Sequence, residues 1–276
     1  MGEILWGFKS PFPHILSVRT KRKRSHGPLL QDNAYIYGGP GASLQSISQT
    51  IASLKKFFPI DKIKKLSPKQ LLEAPWEKDA ALFVLPGGLD LPYAKILKGA
   101  HLEKIRSYVE EGGLYMGICA GAYYSSAFVD FAKGTPLEIQ EERKLAFFKG
   151  TARGPILAPW VPQSEEGARC ARILWGDNKG FPKGKEFFVY YNGGSYFVEA
   201  EKSPGIEVLA YYDLEAPFPA IIACSIGKGR AILSGVHFEY DPLLLDGKNL
   251  FLQAVLPGLI EGNKDRLSLC NYIYNI

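Results

Sequence analysis

The chain predicts an α/β fold: a parallel central sheet with helices on its faces, plus a β-rich extension in the second half. Three observations carry that expectation. Apolar runs of strand length alternate with helical-period segments over residues 34–121, the β-α-β-α-β rhythm of a parallel sheet. Residues 80–85 are apolar without alternation, as a strand buried on both faces is. From about residue 136 to 236 the strands become short and turn-separated, which reads as antiparallel addition to the core.

The elements follow in order. Residues 1–30, with their prolines and a basic run, read as an extended arm, residues 31–262 as one domain, and residues 263–276 as a C-terminal tail. Residues 34–37 form a strand and Gly38-Gly39-Pro40-Gly41 a turn. Ser43 caps a helix carrying Leu44, Ile47, Ile51 and Leu54 at helical spacing. Residues 60–66 form a second strand, and Ser67-Pro68 opens a short helix. The strand at 80–85 ends in Pro86-Gly87-Gly88. Leu102, Ile105 and Val109 mark one face of a helix over 101–111, which Gly112-Gly113 stop. Leu114-Tyr115-Met116 close a buried strand, and a helix runs from Ala120 to Phe128. Strands follow at 144–148, 168–175, 187–191, 208–211, 220–226 and 231–234, then a helix at 249–261. Parallel sheets place ligands outside the C-terminal ends of their strands. The glycine loops at 38–41 and 87–88 and the cysteine turn at 117–121 therefore line one rim.

Bulk properties narrow the function. The formal charge of +5 comes from Arg19, Lys21, Arg22, Lys23 and Arg24; without them 28 basic residues balance 28 acidic ones. No positive face over the domain is indicated, which argues against a nucleic-acid partner. The basic run reads as a solvated tail. No apolar run approaches bilayer-crossing length. The basic cluster follows the N-terminal apolar residues, the reverse of a signal peptide, so the expected location is cytoplasmic with no membrane partner. Cys119, Cys170, Cys224 and Cys270 are scattered without a C-x-x-C pair, so neither a metal site nor a cofactor is expected. Cys170 and Cys224 fall in strands and read as small core residues.

Gly117-Ile118-Cys119-Ala120-Gly121 is the most informative stretch. Glycines two positions either side of the cysteine permit a tight strand-to-helix turn that presents the thiol over the sheet edge. A helix N-terminus beneath the sulfur favours the thiolate, and an accessible Cys119 is expected. His237-Phe238-Glu239 follows the last strand. His237 is the candidate base, and Glu239 fixes its tautomer and charge. The backbone N–H groups of Gly88 and Ala120 are the candidate oxyanion donors.

Other segments carry weaker signals. Gly38–Gly41 lacks the P-loop lysine and the dinucleotide spacing, so it reads as a plain βα turn. Tyr190-Tyr191-Asn192-Gly193-Gly194 suits a small polar ligand and equally suits a hairpin turn. Asp90 caps the helix near Tyr93 or orients a substrate. The substrate-binding candidates are Gly87, Asp90, Tyr123, Asn192 and Gly193.

The order Pro86-Gly87-Gly88, Gly117-Ile118-Cys119-Ala120-Gly121 and His237-Phe238-Glu239 resembles class I glutamine amidotransferase-like domains. That resemblance implies a flavodoxin-like three-layer sandwich and a Cys119-His237-Glu239 triad. Further strings are Pro86 to Tyr93, Gly134-Thr135-Pro136-Leu137-Glu138, Phe147-Phe148-Lys149-Gly150-Thr151, Gly154-Pro155 and Tyr191-Asn192-Gly193-Gly194. They resemble the amidotransferase-like N-terminal domain of biotin-protein ligases over about residues 34–240. The resemblance does not imply biotin ligation, because nothing here matches the ligase's glycine-arginine-rich adenylate loop; Gly227-Lys228-Gly229-Arg230 reads as a hairpin turn. Two departures bear on glutamine as substrate: Ala122-Tyr123 stand where glutaminases carry His-Gln, and Phe238 stands where they carry proline. The expectation is a cysteine-dependent amidohydrolase or transferase acting on a small amide or ester, with a ligase or synthase as partner. The alternative is a catalytically silent small-molecule-binding or regulatory module associated with biotin metabolism.

Overall fold

The structure, a computed structural model, describes residues 33–276; the arm of residues 1–30 lies outside the described residues. The first half contains strands β1 (Asn33–Tyr37), β2 (Ile63–Leu66), β3 (Ala80–Leu85) and β4 (Leu114–Ile118). They alternate with helices α1 (Leu44–Leu54), α2 (Pro68–Glu73), α3 (Asp90–Ile96), α4 (Ala100–Glu110) and α5 (Ala120–Tyr124). Next come β5 (Ser126–Phe131), β6 (Ile139–Glu142), β7 (Phe148–Gly154), β8 (Arg169–Trp175), β9 (Glu186–Tyr191) and β10 (Tyr196–Phe197). The chain continues through β11 (Ile206–Tyr212), β12 (Pro219–Ile226) and β13 (Gly229–Ser234) to α6 (Leu250–Gln253), α7 (Leu256–Glu261) and α8 (Asn263–Tyr274).

The main sheet has the order β2-β1-β3-β4-β13-β12-β11-β8-β9. Its first five strands run parallel, and among themselves they follow the 2-1-3-4-5 order of flavodoxin-like sheets. The remaining four extend the sheet antiparallel. A second sheet, β10-β7-β5-β6, covers part of one face. Strand alternation divides the core into two layers. Tyr35, Tyr37, Phe83, Leu85 and Tyr115 pack against Leu71 of α2, Ile105 and Val109 of α4, and the second sheet. Ala34, Ile36, Leu82, Val84, Met116 and Ile118 pack against Leu54 of α1 and Leu269, Cys270 and Ile273 of α8. The three-layer α/β architecture expected from the sequence is present.

The local signals act as the sequence implies. The Ser43 side chain accepts from the Ser46 N–H at the start of α1, and Ser67 with Gln70 forms a reciprocal capping box at α2. Four expectations are corrected. The helix at 120–128 ends at Tyr124: the Ser125 and Ser126 hydroxyls donate to the Gly121 and Ala122 carbonyls, competing with the backbone there, and β5 begins. Residues 144–148 are mostly a turn between β6 and β7, with Ala146 at φ 43°. Residues 249–261 form two helices, with a proline opening α7. Residues 263–274 are no tail but helix α8, which buries Leu269, Cys270 and Ile273. The β-rich region likewise divides, because β8, β9, β11 and β12 widen the main sheet while β5, β6, β7 and β10 form the second. Among the described residues, no helix is long and apolar enough to cross a membrane.

Candidate functional site

Cys119 stands between β4 and α5 at φ 50°, ψ −108°, a backbone region that costs a non-glycine residue strain. Its flanking glycines are sterically required. A Cβ on Gly121 would overlap the Leu85 carbonyl oxygen, and one on Gly117 would meet the Gly121 carbonyl oxygen at 2.7 Å. The Cys119 N–H donates to Ser234 O at 2.8 Å, tying the elbow to the end of β13. Three residues beyond that strand end, the His237 N–H donates to Tyr190 O at 2.8 Å, which fixes where the imidazole enters the rim.

The ring lies over the second glycine loop: a Cβ on Gly87 would come 2.5 Å from His237 Cε1. Its Nδ1 is 2.8 Å from Glu239 Oε1, and both side chains are buried. The rings of Tyr190 and Tyr240 flank it at centroid distances of 5.6 and 4.4 Å. Burial works against a charged imidazole here, but Glu239 and the hydrogen-bonded Cys119 side chain outweigh it and push His237 up to about 10. The direction of that shift favours the charged form of the ring beside the Cys119 side chain.

The two glycine loops brace each other. The Ser43 N–H donates to Gly87 O at 3.0 Å, and the Leu89 N–H to Gly41 O at 2.7 Å. The Gly87 N–H donates to the Ser46 hydroxyl at 2.8 Å. The Gly38–Gly41 turn is thus engaged by its neighbour, as a plain βα turn is. The N–H groups of Gly88 and Ala120 donate to no acceptor among the described residues.

Asn192 and Gly193 form no hairpin. They carry the chain from β9 in the main sheet to β10 in the second, passing over the thiol. The Cys119 sulfur is 3.7 Å from Asn192 O, and the Tyr123 hydroxyl donates to Gly193 O at 3.2 Å. The loop after β7 closes over this crossover. A Cβ on Gly193 would meet the Trp160 ring at 2.6 Å. Glu165 accepts from the Tyr190 hydroxyl, from Gln45 Nε2 at 3.1 Å and from Asn192 Nδ2 at 3.3 Å. Cys119 is consequently 7% exposed rather than accessible.

Asp90 is placed elsewhere. It neither caps α3, whose N-cap is Leu89, nor faces the thiol. Its carboxylate takes Arg143 Nε at 3.0 and 3.1 Å and Nη2 at 2.5 Å, with both side chains nearly buried. The pair ties the segment after Gly88 to the second sheet. Arg143→Met strands a buried carboxylate, and urea denaturation is expected to show a loss of about 3–5 kcal/mol. A loss below about 1 kcal/mol would mean that the pair does not brace this loop.

Among the candidates, then, Cys119, His237, Glu239, Gly87, Gly88, Ala120, Tyr123, Asn192 and Gly193 converge at one rim, and Asp90 does not. Ser46, Trp160, Glu165 and Tyr240 join them without a distinctive sequence signal. Only the aromatic residue directly after His237-Phe238-Glu239 hints at Tyr240.

The model of the family described as "Biotin-protein ligase, N terminal" matches residues 32–275. The chain belongs to that family. It is 37% identical over 249 residues to the biotin–protein ligase of Schizosaccharomyces pombe, spanning 88% of this chain but 37% of the ligase. It is also 37% identical over 212 residues to an uncharacterized protein of Chlamydia muridarum, covering 75% of this chain and 80% of that one. Among solved structures, a putative ThuA-like protein from Bacteroides uniformis has a TM-score of 0.46 at 16% identity, covering 90% of this chain and 99% of its own.

Proposed function

We propose that this member of the biotin-protein ligase N-terminal family is a cysteine-dependent amidohydrolase or acyl transferase working through a thioester. The observation that carries the reading is His237, held between the Glu239 carboxylate and the Cys119 side chain at the end of a strained elbow.

The chemistry follows from those groups. The Cys119 thiolate attacks the carbonyl carbon of a small amide or ester. A C–S bond forms, and the carbonyl electron pair moves to oxygen. The resulting oxyanion is received by the N–H groups of Gly88 and Ala120; one such donor is worth about 3–4 kcal/mol in a transition state. Collapse breaks the C–N or C–O bond, and the His237 imidazolium gives its proton to the leaving nitrogen or oxygen. The neutral ring then takes a proton from water or from an acceptor amine, whose oxygen or nitrogen attacks the thioester carbonyl; the C–S bond breaks, the sulfur leaves as thiolate, and the starting thiolate–imidazolium pair is restored. Glu239 holds Nδ1 throughout and so keeps Nε2 as the working nitrogen. Family membership points to a ligase as the partner that such an acyl group or ammonia would serve.

The closed crossover over the thiol favours a second reading, a silent binding module. Incubation with a panel of small amides and esters, read by intact-protein mass spectrometry, separates the two. An acyl adduct on Cys119 in the wild type, absent in Cys119→Ala, supports the enzyme. Ligand-induced thermal shifts in both forms, with no adduct and no turnover, support the module.

A further inference from the structure

A buried guanidinium lies behind the His237-Phe238-Glu239 turn, and the steps above leave it unused. Arg266 on α8 is 1% exposed. Its Nη1 donates to Phe238 O at 3.0 Å and its Nε to Asn263 Oδ1 at 2.8 Å. Nη1 is also 3.6 Å from the Cys270 sulfur. None of these partners is a carboxylate. The Cys270 thiol donates to the same Phe238 carbonyl at 3.1 Å, so α8 grips the residue between the histidine and the glutamate with two donors.

Glu239 needs such support. Its side chain is wholly buried; Oε1 engages His237 Nδ1, and Oε2 has no hydrogen-bond partner among the described residues. A buried carboxylate oxygen without a donor is costly unless the groups around it are held in place to offset its lost hydration. The titratable groups that feel its charge are His237 and Tyr240 from its own segment and Cys270 and Tyr274 from α8, and Arg266 acts on the last two as well. Cys270 feels both charges: burial pushes its thiol up to about 11, Arg266 draws it down and Glu239 raises it. Arg266 and Glu239 therefore act across the same small volume.

We infer that Arg266 is a positioning residue of the candidate site: from α8 it fixes the Phe238 carbonyl, and hence the His237 and Glu239 side chains on either side. The inference rests on the proposed Cys-His-Glu reading. It also gives α8 a part in the site. With Arg266 removed, the Phe238 carbonyl loses one of its two donors from α8, the Glu239 carboxylate is no longer held against Nδ1, and the alignment of His237 on Cys119 loosens.

The test uses the full chain as wild type, Arg266→Met and Arg266→Lys. The rate of iodoacetamide alkylation of Cys119 is followed from pH 5.5 to 9 by peptide mass spectrometry, with near-UV circular dichroism as the check on folding. Arg266→Met is expected to react about tenfold more slowly at pH 6, with its profile displaced by about one pH unit. Arg266→Lys keeps the charge without the planar fork, and its profile should fall between the two. A folded Arg266→Met with the wild-type profile overturns the inference while leaving the triad reading intact. Should Arg266→Met fail to fold, a wild-type profile in folded Arg266→Lys overturns it equally. If wild-type Cys119 itself reacts as an ordinary thiol, both readings fall.

Discussion

His237→Ala is expected to slow alkylation of Cys119 at pH 6.5 by about 10–100-fold, because an unassisted thiol is only about 1% thiolate there. On the proposed reading the charged form of His237, favoured by Glu239 and Cys119, assists the sulfur, and the variant removes it. Glu239→Gln should produce a loss in the same direction, since the amide leaves Nδ1 bonded but takes away the charge that holds the ring protonated. The remaining cysteines serve as internal controls. Burial pushes Cys170 up to about 11 and raises Cys224 strongly, while Cys270 is also raised to about 11. Their rates should stay low and unchanged in both variants. Cys170 is half-buried and reports changes in general accessibility. Equal rates for Cys119 and Cys170 in the wild type would remove the basis for nucleophilic catalysis.

Gly121→Ala should carry a large stability cost for a single added methyl. The new Cβ would overlap the Leu85 carbonyl oxygen, and Leu85 ends a central strand that pairs on both sides. Neither partner is a flexible side chain end that could swing away. Overpacking of this kind costs about 3 kcal/mol or more where backbone must shift, so urea denaturation should show a large loss or no folded protein. Gly247→Ala is the matched control: its nearest neighbour is a Leu256 methyl at 3.9 Å, and its effect should stay within about 0.5 kcal/mol. A folded Gly121→Ala of wild-type stability would mean that the elbow is looser than described.

The parts of this fold that were legible in the sequence are those specified locally. Ser43 and Ser67 announced their helices because a cap needs only its own next turn. The run over residues 80–85 announced a strand buried on both faces, and the glycines around Cys119 announced an elbow that no larger residue could make. His237 and Glu239 were legible as a pair because only Phe238 lies between them, and the structure does join them at 2.8 Å.

What was hidden depends on distant partners. Helix α8 did not stand out because Arg266, a charged residue, occupies a core position and interrupts the apolar stripe. Asn192-Gly193 has the chemistry of a hairpin turn, yet the strands on either side belong to different sheets; local turn propensity carries no information about which sheet the chain enters next. Asp90 occupies a plausible capping position, but a buried arginine 53 residues away claims it. The closure over Cys119 likewise depends on Trp160 and Glu165, which reach the site through contacts of the loop after β7 that no sequence spacing encodes.

The protonation state of His237 tests the central claim most directly. Imidazole ¹⁵N resonances of the full chain, assigned with His237→Gln and followed from pH 6 to 10.5, report each ring nitrogen separately. Both nitrogens of His237 should remain protonated through neutrality and release a proton only as the pH approaches about 10. A ring that is already neutral at pH 7, titrating near the ordinary value of about 6.5, would contradict the account of a cysteine activated by its histidine.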